Sequence, residues 1–295
     1  MATVAEWVEG ARPRTLPAAV APVLAGAGTA WYAAGAVDLV RALLCLLVSL
    51  SLQVGVNYAN DYSDGIRGTD ADRVGPMRLV GSGAARPGQV KAAAFGSFGV
   101  AAVAGLGVVA LSGHWWLLGV GVLCVLAAWF YTGGKHPYGY AGLGEVMVFV
   151  FFGLVAVTGT TYVLIGRVTW ASLLAAVAVG VLACAVLVAN NLRDIVGDKE
   201  VGKRTLATRL GDRGTRVFYA VLVAVAALSV VGAAATSTWW ALLGLLGLVL
   251  LVGPLRAVLG GATGRDLIGV LKSTGLAELA VAVGMVAGVV VGRTL

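Results

Sequence analysis

Charge is scarce in this sequence. Asp, Glu, Lys and Arg make up 12% of its 295 residues and hydrophobic residues 59%, whereas a typical soluble domain is about 25% charged. A water-soluble globule of this size is excluded before any motif is read. Histidine is nearly missing as well, and two residues, His114 and His136, cannot build a His-rich metal centre. The three cysteines, Cys45, Cys124 and Cys184, fall singly inside apolar runs with no CxxC spacing. That pattern excludes a disulfide framework or thiolate metal site and leaves small buried side chains. A basic n-region is lacking too: Glu6 and Glu9 stand where a cleavable signal would carry Lys or Arg. The start therefore reads as a short surface helix that turns into the first span.

Long apolar sequence is what the chain has in abundance. A bilayer core of roughly 30 Å takes about 20 helical residues. Stretches of that kind lie near 15–35, 39–59, 90–111, 114–131, 143–165, 169–190, 215–235, 239–258 and 267–291. None alternates polar and apolar residues as a barrel strand does, and lipid admits only helices or closed barrels. The pattern predicts an all-α polytopic membrane protein, with nine transmembrane helices in a single domain covering 1–295. A cytoplasmic N-terminus puts eighteen of the 21 Lys and Arg on the cytoplasmic side and leaves Arg41, Arg167 and Arg293 outside. This bias predicts a multi-pass protein with a cytoplasmic N-terminus, and the plasma membrane is its expected location. It also absorbs the net charge of +7, so nucleic acid is not expected as a partner.

Two cytoplasmic connections are long, about 60–89 and 191–214, and a third covers about 131–142. Loops of that length without low complexity are usually functional. The two long ones share a pattern. Asn60-Asp61-Tyr62-Ser63-Asp64 closes the second span; Asn190-Asn191-Leu192-Arg193-Asp194, followed by Asp198, closes the sixth. Residues at i and i+4 share a helix face, so Asn60 projects with Asp64, and Asn190 with Asp194 and Asp198. The recurrence suggests two related helical halves, each giving one acidic helix end to a common site.

The helix dipole opposes carboxylates at a C-terminal end, and a divalent cation relieves that cost. Magnesium suits it, because it takes one or two carboxylates together with water and substrate phosphates. Basic residues are interleaved: Arg67, Arg73 and Arg78 after the first motif, and Arg193, Lys199, Lys203 and Arg204 around the second. Such cations pair with phosphate oxygens, Arg bidentately. Any one of these charges read alone could just as well solvate a loop or anchor a headgroup. Their paired arrangement at two matching helix ends points to a magnesium–diphosphate site, with an apolar cavity between the helices for an isoprenoid tail.

The stretch Asn60 to Asp70, with Arg73 to Val80, resembles the first motif of the UbiA-type prenyltransferase superfamily. Asn190 to Asp198 is similar to its second motif, and Tyr131-Thr132-Gly133-Gly134-Lys135 to its Tyr-x-x-x-Lys motif. Arg73–Val80 and Gly202–Ala207 look like the 1,4-dihydroxy-2-naphthoate polyprenyltransferase branch, which serves menaquinone synthesis. The resemblance implies nine helices around an apolar cavity with an active site at the cytoplasmic face. It implies magnesium between the diphosphate and Asp64, Asp194 and Asp198, with Asn60 and Asn190 nearby. Asp61 and Asp70 would be secondary ligands or partners, and Lys135 would contact the diphosphate beside Tyr131. The implied reaction moves a polyprenyl group to the naphthoate ring with loss of the ring carboxylate, giving demethylmenaquinone.

Other signals are weaker. Gly197 to Lys203 nearly spells a phosphate-binding P-loop, but Arg204 stands where Ser or Thr is needed and no strand precedes it. Gly284, Gly288 and Gly292 form a close-packing face, within the bundle or between protomers, which leaves a homo-oligomer open. Glu145 is a candidate substrate contact; Glu278 is a weaker one. Two alternatives stand beside the main reading: the same chemistry on another aromatic acceptor such as 4-hydroxybenzoate, and a cation-coupled transporter. Transporter sites usually lie near the bilayer midplane, whereas these carboxylates gather at one face.

Overall fold

The computed structural model describes residues 2–68 and 77–295, and these form helices, short helical turns and loops with no strand. Helix α1 (Val4–Gly10) opens with a reciprocal cap, in which Thr3 accepts from the Glu6 amide and Glu6 accepts from the Thr3 amide. It leads into α2 (Pro17–Ala34). Then follow α3 (Leu39–Arg67), α4 (Pro87–Ser112), α5 (Leu117–Phe130), α6 (Gly144–Ile165), α7 (Trp170–Arg193), the short α8 (Ile195–Glu200), α9 (Leu206–Ala235), α10 (Trp239–Leu259) and α11 (Leu267–Thr294).

Seven helices among the described residues are long and apolar enough to cross a membrane: α3, α4, α6, α7, α9, α10 and the Gly264–Thr294 segment that contains α11. An eighth span is formed if Val4–Thr15 and Pro17–Ala34, bent by 48°, count as one. The stretch expected as a span near 114–131 is α5, which has 14 residues and so reaches only ~21 Å at 1.5 Å per residue. Its predicted start is taken by the turn after Gly113, and its end gives way at Tyr131 to the third motif loop.

Apolar packing falls into two clusters. The larger joins α2, α6, α7, α9, α10 and α11 through residues such as Ala25, Val157, Leu182, Tyr219, Leu251 and Val281. Helix α7 is its axis, with 72% of its span buried, whereas α3 has 17%. The smaller cluster gathers Tyr58, Leu79, Val90 and Phe98 around α3 and α4. The glycine face of α11 is used inside the chain: a Cβ on Gly284 would lie 2.6 Å from the Leu243 carbonyl and 2.9 Å from Gly244 Cα of α10. Close backbone approach of α10 and α11 accounts for that stripe.

Candidate active site

A cavity of about 220 Å³ lies between the two clusters, where the C-terminal ends of α3 and α7 approach each other. Its polar wall includes Asn60, Asp64, Arg78, Tyr131, Tyr140, Asn190, Asp194, Asp198 and Lys203. Its apolar wall comes from Ala18, Val148, Phe152, Ala183, Val186, Leu187 and Leu271. The two acidic helix ends, 130 residues apart in sequence, thus face one space, polar on one side and apolar on the other.

At the α3 end, Asp64 is 3% exposed. Its Oδ1 accepts from the Tyr140 hydroxyl at 2.5 Å, and its Oδ2 lies 3.5 Å from an Arg78 guanidinium nitrogen. Asn60 accepts from the Thr132 hydroxyl at 2.8 Å, which ties α3 to the third motif loop. Arg67 reinforces that tie by donating to the Thr132 and Gly134 carbonyls and lying 5.4 Å from the Tyr140 ring centre. Asp61 is turned elsewhere: its two oxygens accept from the Leu79 and Val80 amides at 2.8 and 3.0 Å. Both oxygens of this buried carboxylate are committed to folding the chain back over α3, and that contact sets Arg78 beside Asp64.

At the α7 end, Arg193 and Lys203 are near neighbours in sequence of the acids they touch. Arg193 donates to both Asp194 oxygens at 2.7 Å and to Asn190 Oδ1 at 2.9 Å. Lys203 sits 3.8 Å from Asp198 and 4.5 Å from the Tyr140 ring centre. Tyr140 therefore touches groups of both ends. Glu145, behind the wall, is 4% exposed and accepts from Asn191 at 2.9 Å, and it is Asn191 that reaches the cavity. Tyr138 locks the third loop by donating to the Ala127 carbonyl at 2.7 Å, and burial pushes its phenol up, so it stays a donor.

Lys135, Lys199 and Arg204 are exposed and stand outside the cavity wall. Asp70 and Arg73 lie outside the described residues. No group of three acidic, His or Cys side chains close enough to enclose a metal occurs among the described residues. The donor set nevertheless fits a diphosphate-bound magnesium: Asp64, Asp194 and Asp198 are hard oxygen donors facing one space, with cations beside each. Magnesium is normally held by few carboxylates, the remaining positions going to water and phosphate.

The model of the UbiA prenyltransferase family matches residues 19–265. The chain belongs to the UbiA prenyltransferase family. It is 53% identical over 293 residues to a Mycobacterium tuberculosis protein named 1,4-dihydroxy-2-naphthoate octaprenyltransferase, covering 99% of each chain. To the Escherichia coli protein of the same name it is 41% identical, over 74% of this chain and 72% of that one. Among solved structures, the apo form of a UbiA homolog from Aeropyrum pernix K1 aligns over 100% of both chains with a TM-score of 0.68 at 17% identity. A UbiA homolog from Archaeoglobus fulgidus bound to GPP and Mg2+ covers 97% of this chain and 99% of that one, with a TM-score of 0.67 at 12% identity. These two likenesses establish the UbiA fold.

Three wall residues escaped the sequence reading. Tyr140 lies past the Tyr-x-x-x-Lys motif in an unremarkable Gly-Tyr stretch. Arg12 precedes the first span at a backbone φ of 55°, a left-handed conformation unusual for a residue with a side chain. Gln53 could have been found, since it shares the α3 face of Asn57, Asn60 and Asp64 at helical spacing.

Proposed function

We propose that this UbiA-family prenyltransferase moves a polyprenyl group from an allylic diphosphate to 1,4-dihydroxy-2-naphthoate, and that magnesium is required. The observation that carries this reading is the convergence of Asp64, Asp194 and Asp198 with Arg78 and Lys203 on one cavity that also has an apolar wall. The identity to naphthoate octaprenyltransferases across nearly the whole chain supports the acceptor.

In this reading the diphosphate lies between the two helix ends. Arg78 and Lys203 pair with its oxygens, and Lys135 joins them from the third motif loop. Asp64, Asp194 and Asp198 hold magnesium, which supplies positive charge to the leaving diphosphate. Asn190 shares the Arg193 guanidinium with Asp194, Asn60 ties the α3 end to the third motif loop, and Asp61 keeps the Arg78 segment in place. The apolar wall of Phe152, Val186 and Leu187 takes the isoprenoid tail and excludes water from the allylic carbon. The allylic C–O bond breaks with its electron pair going to the diphosphate, and a ring carbon forms the new C–C bond. Overall the prenyl group replaces the carboxylate, which leaves as carbon dioxide, so no net proton has to be placed. Arg12, also in the wall, supplies a cation suited to the acceptor carboxylate before it departs.

The broken α1–α2 pair and the short α5 complete nine membrane-embedded helices, with the site at the cytoplasmic face and the N-terminus on the same side of the plasma membrane. The test is prenyl transfer by purified, detergent-solubilised protein given magnesium, a polyprenyl diphosphate and either 1,4-dihydroxy-2-naphthoate or 4-hydroxybenzoate. A decarboxylated, prenylated naphthoquinol whose formation stops with EDTA is expected. Product from hydroxybenzoate alone would move the acceptor, and turnover unaffected by EDTA would remove magnesium.

A further inference from the structure

The cavity wall contains a hydrogen-bond acceptor whose polarity is dictated by the backbone. Thr15 donates its hydroxyl hydrogen to the Arg12 carbonyl at 2.9 Å, so its oxygen serves its other neighbours as an acceptor. Asn57 donates from Nδ2 to the Ala11 carbonyl and to Thr15 Oγ1, both at 2.9 Å, which fixes Oδ1 as its free-facing acceptor. Gln53 must then present its amide nitrogen to both: Nε2 donates to Thr15 Oγ1 at 2.9 Å and to Asn57 Oδ1 at 3.4 Å. A flipped Gln53 would set oxygen against two acceptors, so the two backbone carbonyls settle its orientation through the chain of contacts.

Gln53 Oε1 is what remains. The residue is 6% exposed and stands in the cavity wall, and no donor among the described residues reaches that oxygen. A buried carbonyl without a donor is costly, so such a group marks either a fault or a place prepared for a ligand donor. The position favours the second. Gln53 lies on the same face of α3 as Asp64, eleven residues earlier and therefore roughly 16 Å further along the helix. That is the part of the cavity beyond the diphosphate end, beside Arg12.

We propose that Gln53 Oε1 accepts a hydrogen bond from a ring hydroxyl of the aromatic acceptor, specifically the hydroxyl at position 4. This rests on the acceptor reading given above. In 1,4-dihydroxy-2-naphthoate the hydroxyl at position 1 is adjacent to the carboxylate and is held by it internally. The hydroxyl at position 4 has no such partner and arrives as a free donor. Accepting its hydrogen also leaves more electron density in the ring that attacks the allylic carbon. Gln53 thus becomes a residue that selects para-dihydroxy acceptors.

Equilibrium binding to solubilised protein with magnesium and without polyprenyl diphosphate tests it, using 1,4-dihydroxy-2-naphthoate and 1-hydroxy-2-naphthoate as the two probes. The unaltered protein should prefer the dihydroxy compound by roughly 10- to 100-fold, the usual range for leaving a buried acceptor unpaired. Gln53→Met should bring the ratio close to one. A ratio of two affinities does not change with the amount of folded protein, so partial loss of structure cannot imitate this result. The inference fails if the unaltered protein shows no preference, a result that needs no variant, or if Gln53→Met keeps the preference. Binding of neither naphthoate by the unaltered protein would instead overturn the acceptor reading, and this inference with it.

Discussion

The two acidic helix ends carry similar residues but are held in different ways. At the end of α7, Asp194 is gripped by Arg193, its neighbour in sequence, and Asp198 by Lys203 five residues on. At the end of α3, Asp64 is held by Tyr140 and Arg78, and Asp61 by amides eighteen and nineteen residues away. The difference follows from burial. Helix α7 is the axis of the large cluster, so its end is positioned by the bundle as well as by Arg193 and Lys203. Helix α3 stands at the edge, and its end has to be stitched to two loops to acquire the same rigidity.

The largest effects should treat the ends alike. Asp64→Ala and Asp194→Ala should each lower turnover by roughly 10²- to 10³-fold or more, the range seen when a group that stabilises developing charge is removed. Both proteins should still elute as the unaltered protein does on size exclusion. The next pair should separate the ends. Asp61→Ala strands two amides and should lower stability by about 1–3 kcal/mol per amide, visible as a drop in melting temperature. Arg193→Ala should lower turnover about tenfold, as for loss of one charged hydrogen-bond partner, with a smaller melting shift than Asp61→Ala. A large melting shift for Arg193→Ala, and none for Asp61→Ala, would reverse the contrast.

Much of this contrast was out of reach of the sequence. The helical spacing of Asn60 with Asp64 and of Asn190 with Asp194 and Asp198 is local, so a shared face could be read directly. The apolar runs likewise announced helices, because lipid leaves them no alternative. The short α5 was misjudged, since hydropathy does not show where a chain turns: Trp115 and Trp116 are apolar yet belong to the connection before the helix. Asp61 was expected as a secondary ligand or partner; that both its oxygens are taken by the Leu79 and Val80 amides is revealed only by tertiary contact. Tyr140 was invisible for the same reason, its partner Asp64 being 76 residues away.

Smaller effects sharpen the picture. Tyr140→Phe removes the hydroxyl that Asp64 accepts while keeping the ring beside Lys203. It should raise KM for the polyprenyl diphosphate several-fold, in line with about 1 kcal/mol for one hydrogen bond, and leave the melting temperature alone. Glu278 is a third acid of a different kind. It is 0% exposed in the middle of α11, and neither carboxyl oxygen has a hydrogen-bond partner among the described residues. Glu278→Met should raise stability by about 1 kcal/mol or more with turnover unchanged, as thermal unfolding and a transfer assay would report.

The convergence of two helix ends on one diphosphate is tested most directly by a double-mutant cycle on kcat/KM with Asp64→Asn and Asp194→Asn, at saturating magnesium. Groups that hold the same bound diphosphate act as a unit, so the double variant should be little worse than either single one. Losses that simply multiply would mean that the two carboxylates act independently, and would contradict a single shared site.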